Sequence, residues 1–311
     1  MRIAWLFPGQ GSQEVGMGKD VSAASSRARE VFESADRALG RSIQKLCFEG
    51  PLEELTLTYN TQPALVATSV AILAAIRDQY PALPAPTFAA GHSLGEYSAL
   101  VAAGALALED AVRLVERRGR AMQAAVPEGQ GAMIAVLGGD REAVLKLCAD
   151  ASTAGIVEPA NFNAPGQVVL SGERAAVDHA ATLAAERKLK AIPLKVSAPF
   201  HCSLMAPAAR DVDAALADIT VRPLGFPVIA NANGEPNQDP SAVRSLLVRQ
   251  IDGAVLWEQS ISRMADAGVT HALEIGPGKV LAGLVKRIDK RIRVHSVSGP
   301  DSIAAIGEFL G

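Results

Sequence analysis

Short apolar runs alternate along this chain with longer stretches in which apolar residues recur every three or four positions. The first run, Ile3-Ala4-Trp5-Leu6-Phe7, halts at Pro8 and reads as a buried strand. Thr87-Phe88-Ala89-Ala90 reads as a second strand, and the small-residue segment from Glu96 to Ala103 as the helix after it. From Asp110 to Ala124 the positions Ala111, Leu114, Val115 and Met122 form one apolar stripe of a helix. Near the far end, Thr270 to Ile275 reads as a strand, Gly276-Pro277-Gly278 as a tight turn, and Lys279 to Arg287 as a helix. Strands and helices alternate throughout, the pattern of an α/β protein.

One region follows an order of its own. It runs strand (132–137), helix (141–149), strand (156–161), strand (167–171), helix (174–188), strand (191–196), the β-α-β-β-α-β order of a ferredoxin-like unit. Pro127-Glu128-Gly129-Gln130-Gly131 precedes it and Ala198-Pro199 follows, both suited to chain crossings. The expectation is a small domain, 128–197, inserted in a larger α/β body built from 1–127 and 198–311. A cleft between two such units is a common place for a substrate site.

Composition narrows the class. At 311 residues, 49% hydrophobic and 20% charged, the chain is globular rather than disordered. A net charge of −3 gives no whole-chain reason to expect nucleic-acid or anionic-membrane partners. No apolar stretch reads as long and uninterrupted enough to span a bilayer, and the first run is too short for a signal-peptide core. Cys47, Cys148 and Cys202 are odd in number and widely spaced, which argues against a disulfide framework or zinc site and suits a reducing cytoplasm.

The chemistry concentrates at Gly91-His92-Ser93-Leu94-Gly95, a G-x-S-x-G element lying between a strand and a helix. A serine on that sharp turn is pushed out of the backbone, and helix N-terminal N–H groups beside it can stabilise an oxyanion. Gly9-Gln10-Gly11 also follows a strand, yet position 14 is Glu14 where a dinucleotide fingerprint needs glycine, and Gly18-Lys19-Asp20 is no P-loop. The Pro8–Gln13 loop can instead bring a second N–H to the oxyanion. A base is needed, and position alone leaves five histidines open, with His201 at the far domain crossing the best placed. Arg118 falls within the apolar stripe of its helix, while Arg113, Arg117 and Arg120 fall opposite. An inward guanidinium needs an anion, either a carboxylate of the protein or one of the substrate.

These motifs together resemble the malonyl-CoA:acyl carrier protein transacylase family. The resemblance rests on Phe7-Pro8-Gly9-Gln10-Gly11-Ser12-Gln13, Gln62-Pro63-Ala64, the segment Gly91 to Tyr97, Asn161-Phe162-Asn163, Pro199-Phe200-His201 and the segment Glu274 to Lys279, in order over about Ile3 to Arg287. It implies an α/β-hydrolase-like large domain with an inserted ferredoxin-like small domain. It implies Ser93 as nucleophile, His201 as base, and the Gln10 and Leu94 N–H groups as oxyanion donors. Arg118 would take the malonyl carboxylate, and the backbone carbonyl of Gln250 would orient the histidine. The chemistry is ping-pong transfer from malonyl-CoA to the pantetheine thiol of acyl carrier protein, with no metal or other cofactor. It would supply fatty-acid synthesis by default, with polyketide assembly or malonate decarboxylation as alternatives, in a cytoplasmic monomer.

Two subsidiary expectations follow from the resemblance, and one rival reading stands against it. Phe200 resembles the malonyl-selecting relatives, since its ring would crowd an α-methyl group. An acidic carrier calls for a basic surface, and the densest runs are Lys286, Arg287, Lys290, Arg291, Arg293 and then Arg187, Lys188, Lys190, Lys195. The rival is a patatin-type Ser/Asp hydrolase, because Asp252-Gly253-Ala254 resembles an element of that class.

Overall fold

The computed structural model describes every residue from Met1 to Gly311. Two sheets organise it. The larger has six strands: β1 (Ile3–Phe7), β2 (Phe88–Gly91), β7 (Val228–Ile229), β8 (Pro236–Asn237), β9 (His271–Ile275) and β10 (Arg293–Val297). Their spatial order is β10-β9-β1-β2-β7-β8, parallel except for the β7–β8 pair. All five residues of β1 are buried, as expected of a central parallel strand covered on both faces. Ile3, Trp5 and Phe7 join one apolar cluster and Ala4 and Leu6 another, so the two faces of the strand feed two separate layers of core.

The smaller sheet is antiparallel, with order β4-β5-β3-β6 built from β3 (Gly131–Leu137), β4 (Val157–Ala164), β5 (Gln167–Glu173) and β6 (Lys190–Pro193). With the helices Arg141–Ala151 and Arg174–Glu186 it packs a third core cluster of its own. The architecture is therefore a parallel-rich α/β body carrying a ferredoxin-like unit.

Two boundaries differ from the sequence expectation in ways that matter for the site. The last strand of the small sheet ends at Pro193, not Val196: the Leu194 N–H makes a last bond to Met133 O of β3 (3.0 Å), and the Val196 N–H turns back to Leu194 O at 3.1 Å instead of continuing the ladder. Lys195 and Val196 thereby leave the sheet and, with Leu194, line a cavity. β4 runs on to Ala164, because Asn161 bridges Val255 of the large body while Asn161 and Phe162 still pair with β5. That bridge joins the two units edge to edge.

Contrary to the expectation about apolar stretches, the 22-residue helix Thr58–Gln79 is long and apolar enough to cross a membrane. Its apolar window is 83% buried inside the protein, where it packs against the helices Ser26–Leu39 and Leu108–Ala124 as the central helix of the body.

Candidate active site

β1 and β2 pair in register from Ala4↔Phe88 to Phe7↔Gly91, so the loops that leave their C-terminal ends emerge side by side. That edge of a parallel sheet is where ligands bind in open α/β folds. The chain passes from β2 through His92 and Ser93 into the helix Gly95–Ala102. Ser93 has φ 50°, the left-handed conformation that costs a non-glycine residue about 1–2 kcal/mol. The turn is held by the Gly95 N–H to His92 O (2.9 Å), the Glu96 N–H to Ser93 O (3.1 Å), and the Ser93 N–H to Asn231 Oδ1 (2.7 Å).

Close approach explains two of the glycines. A Cβ on Gly95 would lie 2.1 Å from Phe7 O, and one on Gly9 would lie 2.3 Å from His92 O. Only without those side chains can the Gln10 loop pack directly onto the elbow. The Gln10 and Leu94 N–H groups, one from each loop, donate to no group of the protein. Both residues line the same cavity as Ser93.

The Ser93 hydroxyl donates to His201 Nε2 at 2.7 Å, and the His201 Nδ1–H donates to the backbone carbonyl of Gln250 at 2.8 Å. His201 is buried and has φ 61°, a second strained residue within this small volume. Its loop is clamped to the small sheet, since Glu158 on β4 accepts from Ser203 N–H (2.7 Å) and Ser203 Oγ (2.9 Å). Burial, reinforced by the nearby Arg118 charge, holds the imidazole down at about 3, outweighing the Gln250 carbonyl that favours its protonated form. The imidazole is therefore neutral, with its proton on Nδ1 and Nε2 free to accept one.

Arg118 is 1% exposed. Its Nη1 donates to Gln62 Oε1 (2.9 Å), and its Nη2 donates to Gln250 Oε1 (3.0 Å) and to Ser93 Oγ (3.2 Å). The guanidinium carbon stands 5.3 Å from the Tyr97 ring centre, and Nε has no partner. No carboxylate pairs with it, although the neighbouring arginines at 113, 117 and 120 all hold surface ion pairs. A buried guanidinium held only by neutral groups, two amides and a hydroxyl, leaves its charge uncompensated by any direct ion pair.

The cavity in front of these groups measures about 320 Å³ and is lined by Gln10, Ser93, Arg118, Met133, Phe200 and His201, among others. It opens between the large body and the small sheet, from which Met133 and Asn161 reach it. A larger hollow of about 740 Å³ beside Trp5 and Arg77 holds no histidine, and its serine, Ser34, is bonded to Glu109. The other histidines stand apart from the proton path: His92 Nε2 meets Asn163 Oδ1 (2.7 Å), His295 Nε2 meets Ser302 O (2.7 Å), and His271 packs on Phe309. Asp252 makes no hydrogen bond to Ser93, whose hydroxyl contacts are His201 and Arg118.

Comparison with known proteins shows the family. The acyl transferase domain family matches residues 4–304. A malonyl CoA-acyl carrier protein transacylase of Bacillus subtilis is 46% identical over 304 residues, covering 97% of this chain and 95% of the relative. The chain belongs to the malonyl-CoA:acyl carrier protein transacylase family. Among solved structures, an acyl-carrier-protein S-malonyltransferase of Burkholderia pseudomallei superposes with a TM-score of 0.95 at 46% identity, covering 99% of this chain and 100% of that one. A malonyl-transacylase in complex with a type II polyketide-synthase acyl carrier protein also gives 0.95, at 43% identity and 99% and 100% coverage.

Within this family site, two residues escape a reading from sequence. Asn231 follows β7 in an irregular turn with no periodic signal, yet it holds the Ser93 N–H and donates from Nδ2 to Gly91 O (2.8 Å). Glu96 is buried at 2% exposure on the elbow helix and accepts from Gln250 Nε2. Its signal was available: it is an acidic residue in a short helix whose other positions are almost all buried.

Proposed function

We propose that this chain transfers the malonyl group of malonyl-CoA to the pantetheine thiol of acyl carrier protein through a malonyl-Ser93 ester, supplying extender units for fatty-acid synthesis. The observation that carries the substrate reading is Arg118, a buried guanidinium with no carboxylate partner 3.2 Å from the Ser93 hydroxyl. A planar fork so close to the nucleophile suits an acyl group that ends in a carboxylate.

His201 Nε2 takes the Ser93 proton as Oγ attacks the thioester carbonyl carbon. The tetrahedral oxyanion accepts from the free N–H groups of Gln10 and Leu94, whose fixed positions stabilise the charge as it develops. The C–S bond then breaks, and coenzyme A leaves with the proton returned by His201. In the second half the pantetheine thiol gives its proton to His201, attacks the ester carbonyl, and expels Ser93 Oγ, which regains that proton. The Gln250 carbonyl keeps the imidazole in the tautomer that both halves require.

The carrier's acidic surface calls for unpaired cations. Arg291 is taken up by Asp289 and Asp266, and Arg187 by Asp150. Lys279, Lys286, Lys290 and Arg293 hold no ion pair and border one open hollow of about 660 Å³. Lys279 adjoins Gly278, which packs against Ser12 of the Gln10 loop, so this patch begins beside the oxyanion donors. It is the proposed docking surface. The three buried, unpaired cysteines suit a reducing cytoplasm.

Intact-protein mass spectra after brief exposure to malonyl-CoA, and again after adding acyl carrier protein, test the reaction. One malonyl group gained on the parent, absent from Ser93→Ala and discharged by the carrier, is the expected result. An unmodified protein with malonyl-CoA intact would overturn it. Activity surviving His201→Ala but lost in Asp252→Asn would restore the hydrolase reading.

A further inference from the structure

A buried carboxylate is costly unless it is paired or hydrogen-bonded, and Glu96 touches no cation. Its Oε2 accepts from Gln250 Nε2 (2.7 Å) and from the Asn231 N–H (3.1 Å). The Gln250 side chain continues the path: Nε2 also donates to Ser93 O (2.9 Å), while Oε1 accepts from Arg118 Nη2 (3.0 Å). A primary amide can turn end for end at little steric cost, so its direction depends on what its neighbours accept and donate. Here one end meets only acceptors, Glu96 and the Ser93 carbonyl, and the other meets only a donor, Arg118. If the amide turned, N–H would face guanidinium and oxygen would face both the carboxylate and the Ser93 carbonyl, an arrangement with no hydrogen bonds and three repulsions.

We propose that Glu96 is a specificity-determining positioning residue: by accepting from Gln250 Nε2 it locks that amide with its oxygen toward Arg118 and so fixes the guanidinium that receives the substrate carboxylate. This rests on the reading of Arg118 as the carboxylate site. Glu96 acts through Gln250 and never meets the substrate. Burial pushes its own pKa up to about 7, with the Gln250 bond pulling it back down. The assignment holds in both protonation states, because Oε1 can carry the proton while Oε2 still accepts. The Asn231 N–H on the same oxygen keeps an acceptor there even when a glutamine replaces Glu96.

Reach and charge are separable. Glu96→Gln loses the charge but keeps an oxygen at the same distance; Glu96→Asp keeps the charge but is one methylene too short to serve Gln250 and Asn231 together. The readout is kcat/KM for acylation of Ser93 by malonyl-CoA and by acetyl-CoA, which has no carboxylate for Arg118, with Arg118→Ala alongside. The expected result is that malonyl-over-acetyl preference falls about tenfold or more in Glu96→Asp and Arg118→Ala and stays within about threefold of the parent in Glu96→Gln. Preference kept by Glu96→Asp overturns the proposal, as does preference lost in Glu96→Gln. Both substrates slowed equally would mean only that Glu96 supports the elbow through Asn231, and would equally overturn it. Preference unchanged in Arg118→Ala removes the carboxylate reading itself, an outcome separate from any result at position 96.

Discussion

A histidine base ordinarily titrates near 6.5, but His201 is held at about 3, by burial first and by the Arg118 charge second. The acid limb of the reaction is therefore displaced. At pH 5.5 an ordinary imidazole would be about nine-tenths protonated and about tenfold less available as a base. An imidazole at about 3 is neutral there, so kcat/KM for Ser93 acylation should be level from pH 8 to below 5. Saturating malonyl-CoA changes the second cause, because a carboxylate on Arg118 offsets its charge. The imidazole pKa then rises, and the acid limb of the saturated rate should lie at higher pH than that of kcat/KM. Rapid-quench measurement of coenzyme A release from pH 4.5 to 8 gives both profiles. Glu96, pushed up to about 7 by burial, is the neighbouring group that would titrate near neutrality and mimic such an acid limb, while burial holds His92 below its ordinary value. Repeating the profile in Glu96→Gln separates the two. An acid limb near 6.5 in kcat/KM that persists in Glu96→Gln would refute the electrostatic account of the base.

The same pair of shifts bears on stability. Native His201 refuses a proton that the unfolded chain accepts between 6.5 and about 3, so its contribution falls as pH drops through that window. Glu96 works in reverse between about 7 and 4.5, so the two cancel from 6.5 to 4.5, and Glu96→Gln should lose Tm relative to the parent as pH is lowered across that range; parallel Tm curves would contradict this. Phe200 walls the cavity beside His201, and Phe200→Ser should raise methylmalonyl-CoA turnover relative to malonyl-CoA; an unchanged ratio would remove the steric argument. Charge reversal at Lys286 and Lys290 should raise KM for acyl carrier protein about tenfold or more at low salt while leaving acylation by malonyl-CoA alone, and an untouched carrier step would exclude this patch.

What the sequence makes legible here is what local chemistry determines. The elbow can be read because its glycines, strand and helix lie within about twenty residues, and Arg118 because a helical stripe exposes any polar intruder. The small unit can be read from its order of elements, but the end of β6 cannot, because the apolar run continues to Val196 while the backbone turns back on Leu194. The rest depends on distant contacts. Gln250 takes part through two chemically different groups, a main-chain carbonyl on His201 and a side-chain amide between Arg118 and Glu96. The first enters the sequence reading only through family resemblance, and the second has no signature at all. Asn231 holds the Ser93 N–H across 138 positions, and no local pattern announces such a contact.

The arrangement around Arg118 joins binding to chemistry. Had a carboxylate touched the guanidinium directly, its charge would be spent and the pocket would have little preference for an acidic acyl group. Glu96 is instead kept one amide away, near enough to orient the fork through Gln250 and without a direct ion pair. The uncompensated charge then lowers the basicity of His201. If Arg118 receives the substrate carboxylate as proposed, a substrate that brings one relieves that penalty on His201 at the moment it is held, whereas an acyl group without one does not. The proposal therefore predicts two sources of discrimination at one residue, the carboxylate bound by the fork and the base strength restored by that binding. The two separate experimentally, because the first moves KM and the second moves the acid limb of the saturated rate.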